Sequence, residues 1–481
     1  MPDLRDGLLY RSGLLSDDQI EAAEALLASL VADGIETVRL SFVDQHGVMR
    51  GKTLMREALE GVFRGGMAMT STLLLKDTSH STVFPVWGAG AGIGGGRLEG
   101  AGDVLVVPDP DSFHRLPWVP GSAALLGDLA YKDGTAMPFC TRGSLRRAES
   151  ALGDAGYDML CGLELEFTIQ RVVEDRLTHD HGGIPGAPPE TAPLNHGYQY
   201  LTEARFGLLE PILDTLRRNA QGMGLPLRTI EIEFGPSQVE MVFAPQSPLA
   251  QADAMVGFRA MVKEVCAQQG LHASFMCRPA QPHAVPSGWH LHQSLVDRST
   301  GGNAMQSPDA SLTDTASGWI AGLLEHAVEG CLLSTPTVNG YKRHAPGMLA
   351  PDRVQWARDN KGAMLRALIG ADDAASRIEN RIAEPAANPY LHIAAQIFAG
   401  LDGLSRGLSA PPPVAHPYCS DAPTLPRSMG DALEAFQASA FFRDKLGDDV
   451  VDWLSHIKRA EWERYLATVS DWEQREYFTL F

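Results

Sequence analysis

Polar and apolar residues alternate regularly in several short segments near the middle of the chain. In residues 162–167, Glu164 and Glu166 are separated by Leu165 and followed by Phe167. Side chains two positions apart in a β-strand point to the same face. The pattern therefore predicts a strand with two carboxylates on one face and apolar side chains on the other.

Two further segments alternate in the same way. His290 and His292 flank a leucine, and Arg377, Glu379 and Arg381 are separated by isoleucine and asparagine. Alone, the histidines suit zinc binding, a metal ligand beside a phosphate donor, or two polar core residues. The arginine segment alone suits a surface salt-bridge ladder. Arginine also grips carboxylate and phosphate with two parallel hydrogen bonds, so this segment equally suits a site for anionic substrates.

A turn signal separates two more acidic residues. The sequence Glu233-Phe-Gly-Pro-Ser-Gln-Val-Glu240 predicts a hairpin that places Glu233 and Glu240 across from each other. Alone, these are also compatible with two solvated surface acids. A sheet face with this many carboxylates repels itself unless cations fill it. We therefore interpret the chain as a metal-dependent enzyme that binds Mg²⁺ or Mn²⁺.

The remaining pattern predicts two regions of mixed α and β structure. Ser16-Asp-Asp-Gln19 is a capping box that opens a helix at 17–33, and strands follow at 38–42 and 48–54. The pattern changes near residue 141, so we expect one domain at 1–136 and a larger one at 137–481. Further helices are predicted at 141–156, 203–223, 247–269 and 312–333, and from Asp452 onward.

Composition narrows the function. Among 481 residues, 40 Lys and Arg face 59 Asp and Glu, and the net charge is −19. That balance argues against nucleic-acid binding. The start of the chain is charged, and no run of 18 apolar residues indicates a membrane span. The 6 cysteines are widely spread, without a Cys-x-x-Cys pair. We expect reduced thiols and a cytoplasmic location.

Basic residues cluster locally within this acidic chain. Arg343 closes an Asn-Gly-Tyr-Lys-Arg segment, and Arg358, Lys361 and Arg366 follow within 25 residues. Each is compatible with a solvated surface charge. Together with the carboxylates, they match a site for ATP, Mg²⁺ and an acidic substrate.

Five ordered motifs make the chain resemble the glutamine synthetase family over roughly residues 35–404. They are Gly162-Leu-Glu-Leu-Glu-Phe167, Glu233-Phe-Gly-Pro-Ser-Gln-Val-Glu240, Gly288-Trp-His-Leu-His-Gln-Ser-Leu295, Asn339-Gly-Tyr-Lys-Arg343 and Arg377-Ile-Glu-Asn-Arg381, the last followed by Asn388-Pro-Tyr-Leu391. The resemblance implies an α+β fold, with an N-terminal β-grasp domain and a catalytic domain built on a curved antiparallel sheet flanked by helices. It also implies hexameric rings, stacked as a dodecamer, with active sites between neighbouring subunits.

The resemblance implies a role for each motif residue, with ATP and two or three Mg²⁺ or Mn²⁺ ions in each site. One ion would be held by Glu166, Glu233 and Glu240, and another by Glu164, His290 and Glu379. Nucleotide contacts would come from His292, Ser294, Lys361, Arg366 and Arg377. Arg343 and Arg381 would bind L-glutamate beside Glu166, and catalysis would depend on Arg343, Arg366 and Arg381. Lys361 stands where the family more often has arginine, so a point charge replaces a planar fork.

The chain departs from ammonia-using members around the nucleophile. Leu349 occupies a loop position where those enzymes carry glutamate, and Met67 and Met69 lie where a polar segment helps to hold ammonium. We expect Leu349, Met67, Met69 and Trp289 to line an apolar amine pocket. In this loop the chain resembles glutamate–organic amine ligases, such as the γ-glutamylanilide, γ-glutamyl-alkylamide and γ-glutamylpolyamine synthetases.

These features predict ligation of the glutamate γ-carboxylate to an apolar amine, in amine catabolism. An aryl amine such as aniline is neutral at pH 7 and needs no strong base, whereas an alkyl amine or polyamine needs a carboxylate partner. Three alternatives stay open: glutamine synthesis with a substituted base, a non-catalytic ring-forming scaffold, and a ligase for another acid.

Overall fold

The computed structural model describes residues 3–89, 93–174, 176–344 and 350–481. Its strands are β1 (Thr37–Val43), β2 (Met49–Met55), β3 (Met67–Thr70), β4 (Asp103–Pro108), β5 (His114–Arg115), β6 (Ser122–Ala130), β7 (Tyr157–Val172), β8 (Thr191–Pro193), β9 (Leu227–Ile232), β10 (Gln238–Gln246), β11 (Leu271–Ser274), β12 (Trp289–Asp297), β13 (Trp356–Arg358), β14 (Leu365–Leu368) and β15 (Arg377–Asn380). Its α-helices are α1 (Leu8–Arg11), α2 (Asp17–Ser29), α3 (Leu59–Gly65), α4 (Thr141–Asp154), α5 (Glu203–Gly222), α6 (Pro248–Gln268), α7 (Asp314–Glu325), α8 (Ala327–Ser334), α9 (Pro389–Ser405), α10 (Met429–Ala438), α11 (Ala440–Leu446), α12 (Asp448–Leu466) and α13 (Asp471–Tyr477).

A mixed sheet forms the N-terminal region. Its strand order is β2-β1-β6-β4-β3, and β5 also pairs with β6. Strands β1 and β6 run parallel, whereas the other pairs are antiparallel. The Ser16 hydroxyl caps α2 by accepting from the Gln19 backbone N–H, and the Gln19 side chain accepts from the Ser16 backbone N–H, so the predicted capping box is confirmed.

A larger sheet follows in the order β13-β14-β15-β12-β7-β10-β9. Its pairs are antiparallel except for β13 with β14. Strand β7 spans 16 residues and also pairs with β8 and β11 along its second half. It is therefore the central element of this sheet, and helices α4 and α6 pack against it. The predicted α+β fold class is confirmed.

The predicted helices match the structure apart from their ends. The helix predicted at 312–333 is divided into α7 and α8, because His326 between them leaves the helical conformation with φ −99° and ψ 11°. The aromatic tail forms α12 and α13. Trp453 on α12 is buried, and Trp472 on α13 is 59% exposed.

Helix α4 connects the two sheets through a buried charge network. Arg142 is 3% exposed and donates to Asp109 next to β4 and to Asp253 on α6, both at 2.7 Å. It also lies 3.3 Å from Asp128 on β6. The hydroxyl of Tyr390 on α9 donates to Asp253 at 2.7 Å. These contacts cross the domain boundary predicted near residue 137.

No helix in the described part of the chain is long and apolar enough to cross a membrane. The 6 cysteines are unpaired, and only Cys419 is exposed.

Candidate active site

Four neighbouring strands bring the predicted acidic and histidine residues to one face of the larger sheet. His290 on β12 lies opposite Glu164 on β7, and Glu240 on β10 lies opposite Glu166 on β7. On its other side, β12 places His292 opposite Glu379 of β15. Because the period of a strand is two residues, each pair is directed to the same side.

Glycine at 162 permits the close approach of His292. Gly162 is the Cα partner of His292 on the paired strand, and a Cβ at 162 would lie only 3.2 Å from the His292 Cβ. A glycine also precedes the buried end of β12. A Cβ at Gly288 would lie 2.5 Å from the Arg343 guanidinium and 3.1 Å from His290 Nε2. Both glycines therefore let polar side chains converge.

Glu164 lies at the centre of the cluster. One of its oxygens is 3.1 Å from His290 Nδ1, and the other is 2.8 Å from His292 Nε2. His290 Nε2 lies 3.9 Å from Glu166, and its Nδ1 lies 3.8 Å from Glu379. Burial by itself raises the pKa of Glu164. The hydrogen bonds to His290 and His292 outweigh burial and hold this pKa well below its ordinary value.

This cluster contains two groups of potential metal ligands, and within each group the ligand atoms lie within 4.8 Å of one another. One contains Glu164, Glu240 and His290, and the other contains Glu164, His292 and Glu379. The structure thus brings the predicted acidic residues together and adds His292, which the sequence predicts as a phosphate contact. The division of ligands between individual ions stays a prediction.

The remaining carboxylates repel one another. Burial, and then the charges of Glu166 and Glu164, raise the pKa of Glu240 to about 10. Burial, and then the charge of Glu233, raise the pKa of Glu166 to about 8. Burial also raises the pKa of Glu233. Such crowding is expected where cations normally neutralise the carboxylates.

The donor set fits divalent cations that prefer oxygen. The Glu240 Oε1 atom is buried and has no hydrogen-bond partner among the residues that the structure describes, and an unpaired buried carboxylate oxygen is costly unless a cation or proton satisfies it. Carboxylates with imidazole nitrogen match Mn²⁺, and the excess of oxygen also suits Mg²⁺. Glu164, Glu240, His290, His292 and Glu379 are the residues that would hold these ions.

Buried arginines lie on the β15 side of the cluster. Arg381 is 6% exposed, makes an ion pair with Glu379, and donates to the Lys361 carbonyl at 3.0 Å. Arg343 is 4% exposed and donates to the carbonyls of Arg381 and Ile382 at 3.0 and 3.1 Å. Two guanidinium groups are therefore fixed beside the carboxylates.

Further cations extend along β14 and β15. Arg366 donates to Glu379 at 3.0 Å and to Asp359 at 2.9 Å. Arg377 donates to His292 Nδ1 at 3.0 Å. Lys361 is exposed. Ser294 shares the β12 face of His292 by its position two residues further on. Of the residues predicted to bind nucleotide, Arg366 and Arg377 contact the cluster through Glu379 and His292, whereas Lys361 lies beside Arg381.

Three residues predicted to line the amine pocket are buried in this chain, and their place in that pocket stays a prediction. Met67 and Met69 are 4% and 7% exposed, because alternation along β3 directs them into the N-terminal core and leaves Ala68 and Thr70 outside. Trp289 is fully buried, on the opposite face of β12 from His290, and packs 4.7 Å from the His392 ring. The fourth residue, Leu349, lies outside the described residues.

The hairpin register also differs from the prediction. The Cα partner of Glu240 on β9 is Glu231, whereas Glu233 lies in the turn and donates from its backbone to Gln238 at 3.0 Å. Glu233 faces Gln238 instead, so the turn contains fewer residues than a direct pairing of Glu233 with Glu240 would leave between them. Glu233 is still a diagonal neighbour of Glu240, and their side chains interact.

Sequence reasoning missed two residues beside the cluster. Gln238 is 1% exposed and donates to Glu166 at 3.3 Å and to the Ser287 hydroxyl at 2.9 Å. Tyr200 interacts electrostatically with Glu233 and Glu240. The alternation with Glu240 could have identified Gln238, but Tyr200 follows a turn-rich segment without a periodic signal.

Comparisons with known proteins agree with this geometry. Residues 138–477 match the family model of the glutamine synthetase catalytic domain. The chain is 38% identical to gamma-glutamylanilide synthase from Acinetobacter sp, over 98% of each chain. It is 32% identical to gamma-glutamylethanolamide synthetase GlnA4 from Streptomyces coelicolor, over 95% of each chain. A solved GmaS/ADP complex aligns with a TM-score of 0.78 and 26% identity, covering 94% of this chain and 99% of that one. The chain therefore belongs to the glutamine synthetase family of ATP-dependent ligases.

Proposed function

We propose that the protein joins the γ-carboxylate of L-glutamate to an organic amine at the expense of ATP. The observation that carries this proposal is the placement of a buried carboxylate–histidine cluster between Arg343 and Arg381 on one side and His292, Arg366 and Arg377 on another. Such a site can bind an acidic substrate and the triphosphate of ATP next to each other.

The reaction has two steps in this proposal. A γ-carboxylate oxygen of glutamate attacks the γ-phosphorus of ATP, and ADP leaves with the electrons of the broken P–O bond. The amine nitrogen then attacks the γ-carbonyl carbon of γ-glutamyl phosphate, inorganic phosphate leaves, and the nitrogen loses a proton. The product is a γ-glutamylamide.

The side chains mainly position groups and stabilise charge. Arg343 and Arg381 hold the carboxylates of glutamate, while Arg366, Arg377, His292 and Lys361 meet the phosphates. Bound Mg²⁺ or Mn²⁺ supplies neutralisation of the phosphate charge. Glu166 and Glu233 complete the acidic set, and Ser294 lies toward the nucleobase.

An organic amine is favoured over ammonia for two reasons. The sequence carries Leu349 where ammonia-using members carry an acid, and the names of two relatives specify an anilide and an ethanolamide. We propose an apolar amine, aromatic such as aniline or alkyl. Polyamine ligation and glutamine synthesis are the competing activities, since a 30% identical relative from Halobacterium salinarum is named glutamine synthetase.

We also propose assembly into hexameric rings, stacked as a dodecamer, in the cytoplasm. Family enzymes typically form oligomers, and the 6 unpaired cysteines suit a reducing compartment. A role in amine catabolism fits a ligase that removes a reactive amine as its amide.

The test measures phosphate release and amide formation with ATP, Mg²⁺ or Mn²⁺, and glutamate. Aniline, ethanolamine, ethylamine, putrescine and ammonia are compared as nucleophiles. We expect amide formation with at least one organic amine at a kcat/KM above that of ammonia. Turnover with ammonia alone would establish glutamine synthesis, and no turnover with any nucleophile would support a scaffold. Glutamate replaced by aspartate tests the choice of acid.

A further inference from the structure

A separate cavity lies beyond the metal cluster on the same face of β7. Its volume is about 330 Å³, which is within the range of small-molecule sites. Thr168 and Gln170 line it, and they continue the alternation of Glu164 and Glu166 along the strand. Among the described residues, none of the carboxylates, arginines or metal-ligating histidines of the cluster lines this cavity. It is therefore a compartment of its own beside the reaction site.

The wall of this cavity is polar but carries few groups that can be charged. Apart from His196 and His283, its described lining contains no ionisable side chain. On one side, the Gln281 amide donates to the Gln170 side-chain carbonyl at 2.7 Å. Apolar surface comes from three prolines and two small aliphatic residues, Pro193, Pro236, Pro282, Ala284 and Val285. The wall thus offers hydrogen bonds and apolar contact, but no carboxylate or guanidinium as a counter-ion.

Two buried polar atoms in this wall have no hydrogen-bond partner within the part of the chain that the structure describes. They are the hydroxyl oxygen of Thr168 and the amide nitrogen Nδ2 of Asn195. Thr168 is 4% exposed and Asn195 is 5% exposed. A buried polar group without a partner lowers stability, and almost all such groups in folded proteins are paired. Two of them in one cavity indicate that a bound molecule supplies the missing partners.

The other side-chain atom of Asn195 fixes the orientation of its amide group. Oδ1 accepts from the backbone N–H of Ser237 at 2.7 Å and from that of Gly197 at 3.2 Å. The Ser237 hydroxyl in turn accepts from the Leu194 backbone N–H at 2.6 Å. Since both backbone groups are donors, the atom facing them must be the carbonyl oxygen. Nδ2 is therefore left as a donor held in a fixed position.

We propose that this cavity binds a small uncharged molecule that carries a carboxamide group on an apolar body. The carboxamide oxygen accepts from Asn195 Nδ2, and its N–H donates to the Thr168 hydroxyl. The apolar body contacts the prolines and Val285. The inference does not depend on the proposed function.

Charged ligands fit this wall less well. Gln238 also lines the cavity, and it donates to Glu166 at 3.3 Å, so a carboxylate ligand would lie near the acidic face and be repelled. A cation offers no acceptor to Asn195 Nδ2 and meets no carboxylate in the described lining. A carboxamide is neutral and provides an acceptor and a donor on separate atoms, as the two unpaired groups require.

The experiment compares benzamide with benzoate and benzamidine, which have nearly the same shape but opposite charges. Dissociation constants are measured by ligand-observed NMR on the full-length protein, with saturating Mg²⁺, ADP and glutamate so that the reaction site is occupied. We expect benzamide to bind at least fivefold more tightly than either charged analogue. Benzamide that fails to bind, that is displaced by glutamate, or that binds no better than benzoate or benzamidine overturns the inference.

Two conservative variants test the unpaired atoms. Thr168→Val keeps the shape of the side chain and removes its hydroxyl, whereas Asn195→Asp keeps Oδ1 and replaces the Nδ2 donor. Each should weaken benzamide binding by about tenfold, the effect of losing one buried hydrogen bond. Asn219→Asp is the matched control, because the Asn219 amide donates to the Thr215 carbonyl on α5, and it should leave the dissociation constant unchanged.

Thermal unfolding of each variant separates a lost contact from a lost fold. If Asn195→Asp lowers the thermal midpoint, Thr168→Val decides the question, since it preserves packing. An unchanged benzamide dissociation constant for Thr168→Val contradicts the inference, and so does an equal loss of affinity in the Asn219→Asp control.

Discussion

At the scale of single residues, the site is a balance between repulsion and neutralisation. Glu240, Glu166 and Glu233 are each directed to the same small volume, and their raised pKa values show how unfavourable three free carboxylates are there. Folding therefore brings together charges that only a bound cation or a proton can stabilise. The metal-free protein is therefore less stable than it would be without these carboxylates, but its site is already arranged to bind a cation.

Replacing Glu240 with glutamine should separate these two effects. In the presence of EDTA at neutral pH, Glu240→Gln should raise the thermal midpoint, because Glu240, with its pKa raised to about 10, must take up a proton on folding and glutamine need not, with about 2 °C gained for each kcal/mol. With metal, ligase activity should fall by more than ~100-fold, since even indirect support of a metal often contributes 10- to 100-fold. Scanning calorimetry and initial rates measure both.

Glu434→Gln is the control for this substitution, because Glu434 is exposed on α10. It should change neither the midpoint nor the rate. A lower midpoint for Glu240→Gln in EDTA would show that the carboxylate stabilises the metal-free fold and would contradict the balance described above.

Some of these residues could be predicted from the sequence more completely than others. Period-two alternation is sufficient for Glu164, Glu166, His290 and His292, because strand geometry alone decides their face. The same rule, applied to Met67 and Trp289, would have placed both in the core. The Glu233–Glu240 register depended on how many residues the turn consumes, which composition does not determine.

At the scale of secondary structure elements, α4 connects the two sheets through a single buried guanidinium. Arg142 neutralises Asp109 and Asp253, which come from different parts of the chain. Neither the residues around Arg142 nor its helical periodicity identifies these partners, because they lie 33 and 111 positions away in the sequence. Only the folded chain brings them together.

Removing this guanidinium should be strongly destabilising. Arg142→Met leaves buried Asp109 with only Arg146, at 2.6 Å, and half-buried Asp253 with only the Tyr390 hydroxyl, and breaking a buried ion pair costs about 3–5 kcal/mol. Arg298→Ala breaks an exposed pair with Asp158 and should cost no more than about 1 kcal/mol. Denaturant unfolding of both variants measures the difference, and equal losses would show that burial of the network is unimportant.

The junction of α7 and α8 should respond to pH. His326 contacts Glu329 and, at 2.8 Å, Asp402, which also pairs with Arg406 at 2.8 Å. Its ring stacks on Phe441 with 3.6 Å between centroids. Burial lowers the pKa of His326, but the hydrogen bonds to both carboxylates outweigh it and raise the pKa above 6.5.

A histidine whose pKa is raised by folding stabilises the fold fully at a pH below its pKa in the unfolded chain. This contribution is lost as the pH rises through its pKa in the folded protein. The thermal midpoint of His326→Gln should therefore lie further below that of the unmodified protein at pH 6 than at pH 8.5. Thermal scans across this range test the sign. A difference that grows with pH would show that neutral His326 is the stabilising form.

At the scale of the whole molecule, the chain presents an apolar terminus. Leu466, Val469, Phe478, Leu480 and Phe481 are 62% to 97% exposed. Exposed apolar residues that cluster in this way usually contact another protein surface. In the single chain these side chains remain uncovered.

Loss of this terminus should weaken the proposed assembly. Deleting residues 470–481 should lower the mass measured by light scattering, while far-ultraviolet circular dichroism remains close to that of the full chain. Leu177→Ser, at an exposed leucine elsewhere, should leave the mass unchanged. An unchanged mass for the deletion would exclude this terminus from the subunit contacts.

Strand β7 supplies Glu164 and Glu166 and is also hydrogen-bonded to β8, β10, β11 and β12. A strand with so many partners opens only when most of the structure opens. Fraying at the surface therefore leaves the ion-binding geometry intact. On heating, catalysis should be lost at the temperature at which the entire fold unfolds. Substitutions in this strand should therefore change thermal stability and catalytic activity together.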